Sequence, residues 1–470
     1  MDFCIIPPRR PGSLQAELER AVKQQSQKIV VLDDDPTGTQ TVHDIPVFTE
    51  YGKESVMAGM QATQDMFFLL TNSRSFSADK TESEHRKIAR NICEMAEQSG
   101  RDFLVISRGD STLRGHWPLE TAVLKDEFMK NGHFLDGEVI CPFFPEGGRV
   151  TAGDIHYVKQ DEDYIPAGET EFAHDATFGY HSSNLKDWVE EKTSGAVLAR
   201  DVCSVSLEEL RSDLSAVKEK LIHLNGGMMI VNAVEYTDLE AFVLALLDVM
   251  AQGKHFIFRS AAALPRVLGR IEHSSFLTGE QLCDGSGRGG LVVIGSHVKR
   301  STEQLKDLLT LPELQPIELD SDLVLRPDLL DAETDRVKRE AEEAIVAGKT
   351  AVLYTKRTLL DPADMSPEQK LALSVSVADA VTKTVKSIAQ RPSFIIAKGG
   401  ITSSETATAA LGAKRAWVLG QAAAGIPVWK LGEESRYPDL PYIIFPGNVG
   451  DVDTLKNIVA QIQGYQKNRR

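Results

Sequence analysis

Short apolar runs alternate with longer amphipathic segments along almost the whole chain. The strand-like runs are Lys28–Leu32, Met66–Leu70, Phe103–Ser107, Glu138–Cys141, Met228–Val231, His255–Phe258, Leu291–Ile294, Ala351–Tyr354, Ser393–Ala397, Ala416–Leu419 and Tyr442–Phe445. The helical segments include Ser206–His223, Thr237–Met250 and Pro367–Gln390, and a polar helix is predicted over Ser13–Gln25. Strands that alternate with helices form mainly parallel sheets with helices on both faces. The sequence therefore predicts an α/β fold.

The alternation is interrupted at Gly279–Gly290, GEQLCDGSGRGG, which is rich in glycine and has no periodicity. We interpret this segment as a linker or hinge, because glycine-rich stretches are flexible. A chain of 470 residues is long enough for two domains that each bury a core. We predict an N-terminal domain over residues 1–278, including an extension over 1–27, and a C-terminal domain over 291–470. A ligand cleft is expected between them.

Composition narrows the range of partners. The net charge is −16 and the pI is about 5.3, which argues against a nucleic-acid binder with a basic face. The five cysteines form no C-x-x-C pair, as expected of a reducing compartment. The N-terminal residues lack the apolar core of a secretory signal, and no run approaches the roughly 18 apolar residues of a membrane span. We expect a cytosolic protein without a membrane or nucleic-acid partner.

Polar segments follow the strands of the first half, where open α/β sheets bind their ligands. After the first strand comes LDDDPTGT, residues 32–39, in which three adjacent carboxylates need a partner to offset their repulsion. Arginines suit the carboxylate of a small acid, and aspartates suit its hydroxyls or act as a base. The predicted catalytic residues are Asp34 and Asp35, and the predicted substrate-binding residues are Arg74, Arg108, Asp110, Ser111, Arg114, Arg149 and His156.

Several of these residues also have structural interpretations. Arg114 and Asp110 are spaced to form an ordinary ion pair. His156 is explained equally well as a structural histidine, because most histidines are surface or core residues rather than catalysts. The segment Asp161–Ser183 is polar, aromatic and irregular, which suggests a loop or flap over a site.

Three strand ends of the second half carry glycine: GSHVKRST from Gly295, KGGITSSETA from Lys398 and PGNVGDVDTL from Pro446. Glycine lets the backbone approach a ligand closely, and Thr402, Ser403 or Ser404 can cap a helix start, where anions are favoured. One such turn is common in any α/β fold, but three in one domain point to a ligand wrapped by backbone. No P-loop motif is present, and no G-x-G-x-x-G fingerprint follows a first strand.

Taken together, the chain resembles the four-carbon acid sugar kinase family. The matching segments are DDDPTGT, TNSRS, RGDSTLRGH, PFFPEGGRVTAGDIHYV, GSHVKRST, AKGGITSSETATAALG and PGNVGD, in the family's order from about Lys28 to Asp451. The resemblance implies transfer of phosphate from ATP to threonate, erythronate, a 3-oxo-tetronate or a related acid. It implies nucleotide contacts from Ser296, Gly399, Gly400, Ile401, Thr402, Gly447 and Asn448. Mg²⁺ would be carried mainly by the phosphates with help from Asp451, and a homodimer is compatible with the resemblance.

Two alternatives remain open. Asp33-x-Asp35-x-Thr37 after a first strand fits the motif of a haloacid-dehalogenase-type sugar phosphatase, in which Asp33 would attack phosphorus and Asp35 would be the acid/base. That interpretation leaves the glycine-rich turns of the second half unexplained. A non-catalytic sensor of a sugar acid and a nucleotide is the other alternative.

Overall fold

The computed structural model describes residues 7–8, 14–272, 274–358 and 367–469. The chain divides into two compact units, Met1–His273 and Ser274–Arg470. The predicted boundary after residue 278 lies slightly further along the chain. The glycine-rich segment 279–290 belongs to the second unit, where Leu282 and Cys283 are buried in the hydrophobic core. Its role as a hinge stays a prediction.

The first unit contains one large sheet and one small sheet. Its helices and strands are α1 (Gln15–Gln24), β1 (Lys28–Asp33), β2 (Ile45–Phe48), α2 (Lys53–Gln61), β3 (Met66–Leu70), α3 (Ala78–Ser99), β4 (Phe103–Arg108), α4 (Leu119–Lys130), β5 (Gly137–Cys141), β6 (Arg149–Ala152), β7 (Ile155–Gln160), β8 (Asp163–Pro166), α5 (Leu185–Lys192), β9 (Cys203–Val205), α6 (Leu207–Arg211), α7 (Ser215–Ile222), β10 (Met228–Val231), α8 (Tyr236–Met250), β11 (Phe256–Ser260) and α9 (Ala263–Leu268). The large sheet is parallel, in the order β2-β3-β1-β4-β11-β5-β10-β9. Strands β6, β7 and β8 form the small antiparallel sheet.

Sequence and burial explain why these elements form. Strand β1, KIVVLD, is buried along its whole length, as expected of a central strand in a parallel sheet covered on both faces. Helix α3 begins at the cap Ser77, whose hydroxyl accepts from the Lys80 N–H, and it ends at Gly100 with a φ of 64°. Its apolar face, including Ile88 and Ile92, packs into the core on which β1 also lies. The loops after the strands are thereby fixed to a rigid sheet edge.

The second unit is a mixed sheet with its helices. Its elements are β12 (Leu291–Ile294), α10 (Lys299–Leu308), β13 (Leu314–Leu319), α11 (Pro327–Val346), β14 (Thr350–Thr355), α12 (Pro367–Ser387), β15 (Ile395–Lys398), α13 (Gly400–Glu405), β16 (Arg415–Ala423), β17 (Ile426–Leu431), β18 (Pro441–Phe445) and α14 (Thr454–Arg469). The strand order is β13-β14-β12-β15-β18-β17-β16, in which β17 runs antiparallel to both of its neighbours and the other pairs are parallel. The prediction of two mainly parallel α/β domains is confirmed.

Two helices of the structure differ in detail from the helices predicted from the sequence. The helix expected over Ser206–His223 is broken into α6 and α7, because the backbone at Ser212 has a φ of −114° and a ψ of −137°. The predicted N-terminal polar helix is α1, which buries Leu18 and Val22 and packs against α8. Within the described residues, no helix is both long enough and apolar enough to cross a membrane.

Candidate functional site

The parallel strands at the centre of the first unit end at one edge of the sheet. Asp33, the last residue of β1, lies opposite Leu70 of β3 and Arg108 of β4, and Arg108 lies opposite Ser260 of β11. The segments that follow these strands are therefore neighbours. The strand ends and these segments, together with Arg149 of β6, supply what we call the aspartate–arginine site. It consists of Asp33, Asp34, Asp35, Arg74, Arg108, Asp110, Arg114, Arg149 and Arg259.

Two arginines offset the repulsion among the three adjacent aspartates. Arg74 donates to both carboxylate oxygens of Asp34, from Nη2 at 2.6 Å and from Nε at 3.0 Å, and its Nη1 lies 3.3 Å from Asp35. Arg108 Nη1 donates to Asp33 at 3.2 Å and lies 3.6 Å from Asp34. The aspartates are thus bound to guanidinium groups of the same site.

The pKa values of the three carboxyl groups are shifted differently. Burial raises the pKa of Asp33 to about 8, although Arg108 opposes the shift. Burial also raises the pKa of Asp34 against the effect of Arg74. Burial acts in the same direction on Asp35, but Arg74 and the hydrogen bonds from Thr37 outweigh it, so the pKa of Asp35 is lowered. The Asp35 side chain is 17% exposed and that of Asp34 is 3% exposed. Asp35 is therefore the most accessible carboxylate of the three and the one whose pKa is lowered.

Asp110 and Arg114 form a pair in a turn, since the segment after β4 is not helical. Arg114 Nε donates to Asp110 Oδ2 at 2.8 Å, and the Thr112 hydroxyl donates to the same oxygen. Burial would raise the pKa of Asp110, but Arg74 and Arg114 hold it well below its usual range. The predicted ion pair exists, and it is part of the aspartate–arginine site.

Three arginines of this site carry buried N–H groups without an acceptor. These groups are Nε of Arg108, Nε of Arg149 and Nη1 of Arg259. Burial lowers the pKa of Arg149 and of Arg259, an effect that Asp110 opposes in both. A buried cationic donor without a partner is costly, so the site has unused capacity to bind an anion.

Sequence analysis missed Arg259. The predicted strand ended at Phe258, whereas β11 continues to Ser260. Arg259 is buried, and its Nη2 donates to the Asp110 carbonyl at 2.7 Å. Its neighbour in sequence, Ser260, pairs with the end of β4. Examination of the residues at this strand end, as at the others, would have found it.

His156 is a buried histidine whose two ring nitrogens are both used. Its Nε2–H donates to the Ser111 carbonyl at 2.8 Å, and its Nδ1 accepts from the Thr151 hydroxyl at 2.9 Å. Burial lowers the pKa of the imidazole to about 4, which keeps it neutral. His156 thus positions Ser111, and these hydrogen bonds give no support to the prediction that it contacts a substrate.

The irregular segment 161–183 contacts the aspartate–arginine site. The Phe172 ring lies 5.0 Å from the Arg114 guanidinium and 5.9 Å from that of Arg149. The Tyr180 hydroxyl donates to the Thr112 carbonyl at 2.8 Å. An aromatic residue thus lies against two of the arginines, as the flap interpretation of this segment requires.

In the second unit, β12, β15 and β18 are adjacent and parallel, so the glycines that follow them are neighbours. A Cβ atom at Gly295 would lie 2.4 Å from Thr402 Oγ1. A Cβ atom at Gly399 would lie 3.3 Å from Ser296 Cβ, and one at Gly447 would lie 3.4 Å from Ser296 Oγ. These five residues form what we call the glycine site, in which a Cβ atom at Gly295 or Gly399 would not fit unless a neighbouring atom moved.

The other predicted nucleotide-binding residues lie beside the glycine site. Gly400 opens α13, and Ile401 in its first turn is exposed. Asn448, after Gly447, is exposed too. Sequence analysis did not single out Lys398, whose buried ammonium donates to the Pro446 carbonyl at 3.1 Å and the Gly447 carbonyl at 3.3 Å. Burial lowers its pKa to about 7.

In the part of the chain that the structure describes, the residues do not form a protein-held magnesium site. Asp451 is exposed, and among the described residues no group of three His, Cys, Asp or Glu side chains could hold a metal ion. The Gln304 amide binds the Asp451 carbonyl at 2.8 Å, which fixes the loop rather than the carboxylate.

The geometry also disfavours the phosphatase alternative. The Asp33 carboxyl is buried and bound by Arg108. A Cβ atom at Gly38 would lie 1.9 Å from Asp33 Oδ2, so the backbone there covers the carboxyl group. A nucleophile must reach phosphorus, and Asp33 is enclosed.

Comparison with protein families gives two matches. Residues 29–268 match a sugar-binding N-terminal domain, and residues 291–455 match a nucleotide-binding C-terminal domain. The first match contains the aspartate–arginine site, and the second contains the glycine site. No curated protein matches the chain.

Solved structures share the fold. The Haemophilus influenzae protein HI1011, of the domain-of-unknown-function 1537 family, is 18% identical with a TM-score of 0.60, over 92% of this chain and 100% of that chain. A Salmonella typhimurium LT2 protein described as a candidate tRNA synthase is 16% identical with a TM-score of 0.66, over 93% of this chain and 99% of that chain. The sugar-binding match alone covers more than half of the 470 residues. The chain therefore belongs to the four-carbon acid sugar kinase family, in which a sugar-binding N-terminal domain precedes a nucleotide-binding C-terminal domain.

Proposed function

We propose that the chain is an ATP-dependent kinase that phosphorylates a hydroxyl of a small sugar acid. Threonate, erythronate and the 3-oxo-tetronates are the acids we consider first, together with branched acids of similar size. The sugar-binding and nucleotide-binding domains support a kinase of this general kind. The choice of an acid over a neutral sugar depends on the aspartate–arginine site.

The observation that carries the proposal is the set of buried guanidinium N–H groups without an acceptor, on Arg108, Arg149 and Arg259. A carboxylate is the group that satisfies such donors best, because its two oxygens match the guanidinium fork. The pKa of Asp33 is raised to about 8, so this aspartate is mostly neutral at pH 7. The arginines then outnumber the ionised aspartates of the site, which favours an anionic ligand.

Asp35 is our choice for the residue that orients or deprotonates the acceptor hydroxyl. It is ionised, it is more exposed than Asp34, and the Thr37 N–H holds one of its oxygens at 2.8 Å. Phosphoryl transfer needs little more from the protein than positioning and electrostatic stabilisation, so a fixed carboxylate is sufficient. Asp34, bound at both oxygens by Arg74, is a positioning residue in this scheme.

The glycine site is the proposed location of ATP. Its glycines carry no side chain that would keep a ligand away from the backbone, and Ser296 and Thr402 add hydroxyls. We expect Mg²⁺ to arrive with the nucleotide phosphates.

The cytosolic location and the homodimer stay predictions. Light scattering during size-exclusion chromatography would test whether the chain forms a homodimer.

An ATP-consumption assay with Mg²⁺ tests the proposal. The acceptor panel comprises D- and L-threonate, D- and L-erythronate, their 3-oxo forms and branched apiose-derived acids. Erythritol and threitol are the matched neutral controls. We expect turnover of one acid, phosphate on its product and no turnover of the polyols. The proposal would be contradicted if no acid led to ATP consumption and if the protein released phosphate from sugar phosphates in the absence of ATP.

A further inference from the structure

Arg357 lies at the edge of the second-unit sheet that carries the glycine site, although no sequence motif pointed to it. It follows β14 by two residues, and β14 pairs in parallel with β12, with Tyr354 opposite Ile294. The chain therefore leaves β14 beside Gly295 and Ser296. Because ligands bind beyond the carboxyl ends of parallel strands, this is a position from which a side chain can reach one.

The guanidinium of Arg357 is anchored through one nitrogen. Its Nη2 donates to the Ser296 carbonyl at 2.7 Å and to the Thr302 hydroxyl at 2.8 Å. Ser296 belongs to the glycine site, and Thr302 lies in the first turn of α10. The contacts fix the planar group against the turn that connects β12 to α10.

The other nitrogens of the group have no acceptor. Nε and Nη1 of Arg357 are buried without a hydrogen-bond partner, and no ion pair joins Arg357 to a carboxylate in the described part of the chain. By contrast, the preceding residue, Lys356, pairs with Asp322. A guanidinium held in place with its remaining donors unused is organised to bind an oxyanion.

We propose that Arg357 binds a phosphate group of the nucleotide, through the donors left free by its anchorage to Ser296 and Thr302. This inference rests on the proposed function, because it takes ATP as the ligand of the glycine site. It adds a guanidinium group to the glycine site, whose own five residues supply only backbone and hydroxyl groups. Arg357 thereby favours nucleoside phosphates over the nucleoside.

Isothermal titration calorimetry of the full-length chain with ATP, ADP and adenosine tests this assignment. We expect Arg357→Gln to weaken ATP and ADP binding by about tenfold or more, as for a charge-assisted hydrogen bond, without changing adenosine binding. Arg357→Lys keeps the positive charge but lacks the paired N–H donors of a guanidinium. It should therefore lose less ATP affinity than Arg357→Gln. Lys356→Gln is the matched control, because it removes the neighbouring cation, and its ATP affinity should equal that of the wild type.

The ratio of ATP to adenosine affinity separates a phosphate contact from a structural role. If Arg357 only supports the Ser296 turn, the Gln variant will lose affinity for both ligands equally, which would overturn the inference. Unchanged ATP binding in Arg357→Gln or in Arg357→Lys would overturn it as well. A wild-type chain that binds no ATP would contradict the proposed function along with the inference, whereas the other two results leave the proposed function intact.

Discussion

Arg74 binds Asp34 through two parallel hydrogen bonds, Nη2 to Oδ1 at 2.6 Å and Nε to Oδ2 at 3.0 Å. The arrangement occupies both oxygens of Asp34 and leaves Arg74 Nη1 directed toward Asp35, 3.3 Å away. Two neighbouring aspartates thus have different environments, although the sequence presents them as equivalent. The difference leads to separate predictions for their variants.

Asp35→Asn should lower kcat by about 100-fold or more, the usual contribution of a positioned acid–base group, with little change in the KM of the acid. Asp34→Asn should instead raise the KM of the acid, because it releases Arg74 from its bidentate contact. Steady-state kinetics on the best acceptor from the panel distinguish the two. Asp44→Asn is the control, since its side chain is 73% exposed and pairs with His43. Wild-type kcat in Asp35→Asn would rule out the role given to this residue.

Arg259→Gln should raise the KM of the acid by about tenfold or more while the KM of ATP stays unchanged. The physical reason is that Arg259 Nη1 is buried without a partner, whereas Nη2 is already bound to the Asp110 carbonyl. The exposed residue Arg90 provides the control, as Arg90→Gln, and should leave both KM values unaltered. A folded Arg259→Gln variant with the wild-type KM for the acid would show that the carboxylate is bound elsewhere.

Strand positions could be predicted from the sequence because buried parallel strands are short continuous apolar runs. Every predicted run overlaps a strand, and the polar residues after β1, β3 and β4 share one sheet edge as expected. The strands β2, β9, β13 and β17 were not predicted, and neither were the short strands β6, β7 and β8. Their pattern is weak, since a small sheet over residues 149–166 has no continuous apolar run.

The missed site residues share a cause. Arg259 and Lys398 are charged residues at the ends of buried strands, where local sequence favours an apolar side chain. Arg357 follows a strand as part of no recognised motif. Their importance depends on which hydrogen-bond partners lie near them in the folded chain. A sequence pattern does not show whether a donor is left without a partner.

Gly38→Ala should destabilise the chain by about 2 kcal/mol, as expected of overpacking in a closed site. The new Cβ would lie 1.9 Å from Asp33 Oδ2, and both residues are buried. Gly464→Ala is the matched control, because nothing lies within 4 Å of its Cβ position in α14, where alanine favours the helix by up to ~1 kcal/mol. Urea unfolding measures both. A Gly38→Ala chain as stable as the wild type would show that Asp33 moves freely.

The last prediction concerns His156 and pH. Burial lowers the pKa of the folded imidazole to about 4 from an ordinary value of 6.5. Between these pH values the unfolded chain binds more protons at this residue, so its contribution to stability increases with pH by about 3 kcal/mol. Asp33 acts in the opposite direction, since its pKa is raised to about 8 and the folded state retains a proton that the unfolded chain has released.

The two effects are separated by comparing wild type with His156→Gln. Asp33 is present in both, so the stability of the wild type minus that of the variant should increase by about 3 kcal/mol from pH 4 to pH 6.5. Urea unfolding at several pH values gives this difference. A stability curve for His156→Gln that runs parallel to that of the wild type would mean that burial does not lower the pKa of the imidazole.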